Sequence, residues 1–156
     1  MTPAALIDAY AAGPEELRRS IAGMSAEQMD AAPVPGKWST RQVICHIADF
    51  EPVYMERMMR VIAEEQPPLR SGDPDVFAAA LAYDAREIEE ELQLIAAVRQ
   101  HTARIMRALP ESVFDRTGIH STDGAVSLRT LLERITRHIP HHVRTIEEKR
   151  HALESA

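Results

Sequence analysis

The sequence predicts a single all-α domain folded as a four-helix bundle. Apolar residues recur at helical spacing in four long stretches, only 4% of the residues are aromatic, and glycine accounts for 6 of 156 residues. Each stretch carries one apolar stripe, and four such helices bury their stripes most simply by packing side by side. With 45% apolar residues, residues 1–156 are long enough to form one core, so we expect one domain.

The first predicted helix begins at Thr2 and Pro3, which have the residue types of an N-cap and a first helical position. Its apolar stripe continues toward Met24, across the pair Gly13-Pro14. Because proline has no N–H group to donate to the carbonyl four residues earlier, we expect a kink or a break at this pair.

A short helical turn is predicted from Ser25 to Gln28, followed by a connector over 31–36. The second long helix is predicted from Ser39 to about Glu65. Ser39 and Gln42 match the serine and glutamine positions of a capping box, in which each side chain bonds the other residue's main-chain N–H group.

A long connection follows Pro67-Pro68, and Asp73 or Asp75 is expected to cap a lead-in segment. The third long helix is then predicted from Ile88 to Leu109. Its first half is rich in glutamate, which suits the positive end of a helix and predicts a solvated face over 87–91.

A second long connection is predicted over 111–126, with an extended piece at 117–121 and a small hairpin. Ser127 has the residue type of an N-cap for the fourth helix, which is predicted to run to about His151. Pro140 lies inside this helix and is expected to bend it. The two long connections leave the order of the helices in the bundle open.

Charge and cysteine content narrow the possible functions. The formal net charge of −6 does not favour binding to nucleic acid or to an anionic membrane, and no run of about 18 apolar residues is present to span a bilayer. Cys45 is the only cysteine and cannot form an intramolecular disulfide, and no signal peptide opens the chain. These features predict a cytoplasmic protein.

Three histidines are predicted to point into the bundle. His138 and His142 lie about 40° apart on the helical wheel, a spacing that lets two imidazoles bind one metal ion. His46 lies within the apolar stripe of the second helix and supplies a third ligand. Asp49, one turn later, is a candidate to orient a ligand or substrate or to accept a proton. Cys45 points away from the stripe and is a poor co-ligand.

The pattern alone leaves a structural alternative open. An i, i+4 histidine pair is also found hydrogen bonded in a protein core or exposed at a surface, and a buried pair without partners is costly. His101, His120 and His151 are predicted to be ordinary surface residues. The methionines of the second helix are predicted to fill the core and surface and not to bind a soft metal.

The order of these motifs resembles the DinB-like, or YfiT-like, metalloprotein superfamily. The resemblance rests on Gly36-Lys37-Trp38-Ser39, on the run from Gln42 to Glu51, and on the later His138-x-x-His141-His142. It implies a four-helix bundle, often homodimeric, in which His46, His138 and His142 hold one divalent metal ion. Pro140 and Thr145 stand where the family commonly has a polar or acidic residue and a glutamine, respectively.

The resemblance also implies classes of reaction. Family members include transferases that use bacillithiol, mycothiol or glutathione, and a maleylpyruvate isomerase. Three neutral imidazoles leave an open position on the ion, the arrangement of catalytic rather than structural sites. Zn or Ni is the expected metal, with Fe and Co also compatible with histidine ligands.

The leading hypothesis is therefore a metal-dependent transfer of a low-molecular-weight thiol to a small electrophilic substrate, with Asp49 or Glu51 as a candidate proton acceptor. A metal-dependent hydrolase is the first alternative. A non-catalytic metal-binding dimer is the second alternative, and a metal-free helical dimer is the third.

Overall fold

A computed structural model describes all residues 1–156 and shows four long helices with short elements between them. The helices are α1 (Pro3–Ser20), α2 (Ala26–Asp30), α3 (Thr40–Ala63), α4 (Pro74–Ala80), α5 (Ile88–Arg107) and α6 (Leu128–Glu154). The strands are β1 (Pro68–Leu69), β2 (Thr117–His120) and β3 (Gly124–Ser127), and 3-10 turns occur at Tyr83–Ala85 and Glu111–Asp115. The predicted all-α bundle is confirmed, with α1, α3, α5 and α6 as its long helices.

The four long helices pack in a closed ring. Helix α1 packs against α5 and α6, and α3 packs against the same two helices, so α3 and α6 are neighbours. Two apolar clusters fill the interior. One contains Leu6, Met58 and Leu131, and the other contains Leu17, Ile44 and Ile139. The histidines predicted to bind a metal thus come from adjacent helices.

A buried ion pair connects all four long helices. Arg99 of α5 and Glu51 of α3 are both fully buried, and the Arg99 guanidinium donates to Glu51 Oε1 at 2.6 and 2.9 Å. It also donates at 2.8 Å to the main-chain carbonyls of Tyr10 in α1 and Ile135 in α6. Charged groups are tolerated in a core only when they are paired and hydrogen bonded. The Arg99 guanidinium meets that condition, whereas Oε2 of Glu51 is buried without a partner.

Helix α1 continues through Gly13 and Pro14, so the expected break is not present. Pro14 does leave the Tyr10 carbonyl without its usual helical donor, and Arg99 takes that place. Gly13 makes room for this contact, because a Cβ atom there would collide with the Arg99 guanidinium. The helix ends at Ser20, before the predicted Met24.

The predicted helix starts agree well with the structure. The capping boxes of Ser25 with Gln28 and of Ser39 with Gln42 are both formed, and Ser127 caps α6. Asp73 caps α4, which is the predicted lead-in segment. Helix α6 runs through Pro140 without interruption.

The two long connections pair with each other at one side of the bundle. The predicted hairpin is present as the antiparallel pair β2 and β3. Strand β1 adds to it in parallel, with Pro68 opposite Ile119 and Leu69 opposite His120. This third strand was not predicted, because a two-residue strand has no periodicity of its own and depends on its partner.

Two local predictions are wrong. Glu91 does not lie on a solvated face, because it is 8% exposed and binds the Arg86 guanidinium at 2.5 and 2.9 Å. His120 is also buried, and its Nδ1 accepts a hydrogen bond from the Thr122 amide at 3.3 Å in the hairpin turn. Cys45, which is predicted to lie off the apolar stripe of α3, is fully buried, because the segment after α4 covers that side of the helix.

None of the helices combines the length and the apolar character that a bilayer span requires.

Candidate metal centre

The rings of His46, His138 and His142 meet between α3 and α6. His138 Nε2 lies 2.9 Å from Nε2 of His46 and 3.1 Å from Nε2 of His142. The candidate ligand atoms of the three residues all lie within 4.8 Å of one another, and no cysteine sulfur or carboxylate oxygen joins them. The structure therefore brings together the three residues selected from the sequence.

The positions of these rings follow from the helices that carry them. Helix α3 is fixed at its start by the Ser39 capping box and buries every residue from Val43 to Ala48, so His46 faces inward. On α6, residues four apart lie one above the other, which places His138 and His142 on the same face. Ile139 and Val143 on the same helix anchor that face in the core.

Burial keeps all three imidazoles neutral. It lowers the pKa of His46 to about 4, although the negative charge of Asp49 partly opposes this effect. Burial, together with the neighbouring rings, lowers the pKa of His142 to about 3 and that of His138 to about 2. At neutral pH each ring carries a single proton and retains one nitrogen lone pair, the form that binds metals.

The donor atoms fit a divalent ion better than they fit one another. Three neutral rings whose Nε2 atoms converge cannot all be satisfied by mutual hydrogen bonds, because a pair of nitrogens shares at most one proton. The Nδ1 atoms of all three rings are buried without a hydrogen-bond partner. No neighbouring group therefore fixes whether the single proton of each neutral ring sits on Nδ1 or on Nε2. A metal ion accepts the three Nε2 lone pairs together, with the protons on Nδ1.

Aromatic side chains enclose one side of the cluster. The ring centroid of His46 lies 5.1 Å from that of Trp38 and 4.9 Å from that of Phe50. Trp38 also contacts Tyr83 edge to face, with centroids 6.5 Å apart. These apolar neighbours exclude water from part of the site and so strengthen electrostatic interactions inside it.

Asp49 lies beside the cluster but is held by another residue. Its Oδ1 pairs with the Arg86 guanidinium at 2.8 Å, and Arg86 in turn binds Glu91. The second oxygen, Oδ2, is buried without a partner, as is Nδ1 of His46 one helical turn earlier. The role of Asp49 in orienting His46 or accepting a proton remains a prediction.

Two other candidates from the same stretch of α3 do not reach the cluster. Glu51 is held by Arg99 in the core. Cys45 directs its thiol toward the carbonyl oxygen of Tyr83 at 3.7 Å, and burial raises its pKa to about 11, so it stays protonated at neutral pH. Neither residue joins the histidine cluster.

A cavity of about 250 Å³ opens at His142. Trp38 and the exposed ring of His141 form part of its wall, and the His141 ring centroid lies 4.9 Å from that of His142. The remaining charged groups of the wall are Lys37, Asp75 and Lys149. A small molecule bound in this cavity would contact the histidine cluster.

Comparison with known proteins identifies the family. The sequence profile of the DinB superfamily matches residues 9–146, most of the chain. The chain belongs to the DinB superfamily. A relative from Oceanobacillus iheyensis, named "Putative metal-dependent hydrolase", is 29% identical over 130 residues, or 83% of this chain and 75% of that protein. YfiT of Bacillus subtilis, with the same description in its name, is 25% identical over 136 residues, or 86% of this chain and 76% of YfiT.

Two solved structures share the fold. The structure of Bacillus subtilis YfiT, described as having an unusual four-helix bundle topology, superposes with a TM-score of 0.91 at 23% identity, covering 97% of this chain and 87% of YfiT. A mycothiol-dependent maleylpyruvate isomerase superposes with a TM-score of 0.72 at 12% identity, covering 92% of this chain and 60% of that chain. The four-helix bundle expected from the motifs is confirmed.

Several residues of this DinB site were not found from the sequence. The wheel placed His141 on the outer face, which is correct, but it did not show that this face lines a cavity. Arg86 comes from the loop before α5 and reaches Asp49 through tertiary packing alone. Gly36-Lys37-Trp38 belongs to the family pattern, which does not indicate a role for each side chain.

Proposed function

We propose that this chain is a metal-dependent enzyme that transfers a low-molecular-weight thiol, such as bacillithiol, mycothiol or glutathione, to a small electrophilic substrate. The observation that carries the proposal is the convergence of three neutral histidine nitrogens, without a fourth protein ligand, at the end of a cavity. Zn or Ni is the proposed ion, since imidazole ligands suit both.

A divalent ion at these nitrogens would supply a Lewis acid that lowers the pKa of a thiol or of a water molecule at its open position. The protein's own residues supply the rest. His46, His138 and His142 hold the ion, and Trp38 and Phe50 keep that side of it apolar. His141 lines the cavity beside His142 and is placed to take up the proton that the thiol loses.

The surroundings of the cluster favour a thiol as the nucleophile. Asp49 and Glu51, the acidic residues nearest to His46 along α3, are engaged by Arg86 and Arg99 respectively. A thiol needs little help from a carboxylate base, because its ordinary pKa is only about 8.5. In the transfer, sulfur bonds to the electrophilic carbon while the leaving group departs with its electron pair.

A metal-dependent hydrolase is the second candidate. Relatives that align with more than four-fifths of this chain carry that description in their names. The same histidine cluster and cavity would support hydrolysis, with water in place of the thiol as the nucleophile and with His141 as the proton acceptor.

The first test is the metal content of the protein purified without an affinity tag. We expect about one transition metal ion per chain, as three-histidine sites bind one ion. The His46→Ala, His138→Ala and His142→Ala variants should each lose it. His151→Ala is the matched control, since His151 is exposed on the same helix as two of the ligands and should leave the metal content unchanged. No metal in the wild type after reconstitution with Zn or Ni would refute the proposal.

The second test separates the two candidate reactions. Metal-loaded protein is incubated with each of the three thiols and a fluorogenic alkyl halide, and in parallel with a panel of chromogenic esters and amides. Thiol conjugation that is lost in His142→Ala supports the transferase. Ester or amide cleavage that is lost in the same variant, without conjugation, supports the hydrolase instead.

A further inference from the structure

The two lysines of this chain differ from its arginines in what they contact. The chain has 16 arginines and only two lysines, Lys37 and Lys149. Every ion pair of the structure is made by an arginine, apart from one made by His120, and neither lysine pairs with a carboxylate. Both lysines line the cavity that opens at His142.

Lys149 is buried with an incomplete set of partners. Only 3% of the residue is exposed, and its ammonium group makes one hydrogen bond, to the main-chain carbonyl of Thr145 at 3.3 Å. A lysine ammonium group has three donors and is strongly hydrated in water. A buried cation of this kind ordinarily has an anionic partner, and this protein supplies none.

The cavity wall has an excess of positive charge. Burial lowers the pKa of Lys149, and the positive charge of Lys37 contributes in the same direction, while Glu148 opposes both. Both lysines belong to the wall of one cavity, so their positive charges act on the same space. Asp75 is the one carboxylate in the wall, so the two lysines leave the cavity with one net positive charge before a metal ion is counted.

We propose that Lys149 and Lys37 bind a carboxylate of the substrate, so that this site acts on small organic anions. This inference rests on the proposed function, since it assigns a substrate class to the same cavity. Lys149 follows His142 by seven residues, or about 10 Å along a helix. A carboxylate held by Lys149 would therefore place the reactive part of a small molecule at the histidine cluster.

The apolar wall agrees with an organic anion. Trp38 lines the cavity, contacts the ring of His46 and offers a flat apolar surface to a carbon skeleton. The volume of about 250 Å³ admits a small acid. Uncharged analogues of the same shape would leave both ammonium groups without a partner, so they should bind poorly.

Tryptophan fluorescence provides a binding test that does not depend on activity. Trp38 is the only tryptophan and lies in the cavity wall, so its emission reports on occupancy. The probe is succinate, with the uncharged succinamide as its isostere. We expect succinate to change the emission saturably, and Lys149→Gln and Lys37→Gln each to weaken its binding at least tenfold. Arg104→Gln removes one exposed positive charge from α5 and is the matched control, with binding within twofold of wild type.

The possible outcomes are distinct. No saturable response to succinate, equal binding of succinamide, or wild-type affinity in both lysine variants would overturn the inference. If Lys149→Gln loses its helical circular dichroism, the exposed Lys37 decides the test through Lys37→Gln. Repeating the titration on His142→Ala separates this inference from the proposed function. Lysine-dependent succinate binding there would support the anion site even if the metal-dependent reaction proves wrong.

Discussion

The guanidinium of Arg99 donates to the main-chain carbonyl of Tyr10, a carbonyl that Pro14 leaves without its helical donor. The same side chain pairs with Glu51 and bonds Ile135, so it contacts each of the other three long helices. The carbonyl that Pro14 frees in α1 therefore serves as a hydrogen-bond acceptor for the buried charge of Arg99 in α5.

Removing this arginine should destabilise the fold severely. Arg99→Met leaves the Glu51 carboxylate buried without a cation, and we expect a loss of about 3–5 kcal/mol in the free energy of unfolding. Urea denaturation followed by circular dichroism measures it. Arg107→Met, which breaks an exposed pair with Asp8, is the control and should cost under about 1 kcal/mol. Similar losses in the two variants would contradict the assigned role of Arg99.

Gly13→Ala should destabilise the protein although alanine favours helices. In an exposed helix the change stabilises by about 0.5–1 kcal/mol. Here the added methyl group meets the Arg99 guanidinium, and overpacking of this kind costs about 1–3 kcal/mol. Thermal unfolding gives the sign. Ala97→Gly, at an exposed position of α5, measures the propensity difference without a clash, and an increase in stability in Gly13→Ala would show that the contact is easily relieved.

The metal-free protein should lose stability as the pH falls below about 7. The pKa values of His46, His138 and His142 in the folded state lie near 4, 2 and 3, below the ordinary value of 6.5. Between those limits the unfolded chain binds more protons, so acid favours unfolding by at most about 1.4 kcal/mol per pH unit for each ring. The contribution of His46 to this decline ends near pH 4, where its ring protonates in the folded chain, whereas the contributions of His142 and His138 continue to about pH 3 and pH 2.

Urea titrations at several pH values in the presence of a chelator test this dependence. His46→Gln should lower the pH dependence of the free energy of unfolding by up to the contribution of one ring, about 1.4 kcal/mol per pH unit. His101→Gln, at an exposed position, should leave this dependence unchanged. An identical slope in His46→Gln and wild type would mean that His46 is not kept neutral by burial.

Asp49→Asn should weaken metal binding. The Asp49 carboxylate favours positive charge at His46, and it has a free oxygen one turn from the unpartnered Nδ1 of that ring. Loss of a residue that supports a metal ligand typically costs about 10–100-fold in affinity. Competition with a chromophoric chelator measures the change. Asp84→Asn, which removes an exposed carboxylate, is the control, and equal affinities in the two variants would remove Asp49 from the site.

The helices and the metal ligands could be predicted because both follow from local pattern. The Ser39 capping box and the apolar stripes set the helix bounds, and two independent periodicities placed His46 and the His138/His142 pair inward. The wheel describes one helix at a time, however. It therefore could not show which loop covers Cys45, or that a hairpin turn buries His120.

The features that the sequence does not predict depend on contacts between segments that are distant in the chain. Strand β1 exists only as the parallel partner of β2, in which His120 lies opposite Leu69 although it follows 51 residues later in the chain. The acidic neighbours of Glu91 predict a solvated side chain, whereas Arg86 from the preceding loop pairs with it and buries it. Charge patterns along a helix do not reveal cations that arrive from elsewhere in the chain.

The position of the core ion pair has a consequence for the histidine cluster. The three rings come from two helices only, and a shift of α3 along α6 by one residue would move His46 about 1.5 Å relative to His138. Arg99 bonds both helices. It pairs with Glu51, five residues after His46 in α3, and donates to the carbonyl of Ile135, three residues before His138 in α6. Arg99 thereby fixes the position of α3 relative to α6, so a substitution at this residue of the core should change the distances between the ring of His46 and the rings of His138 and His142.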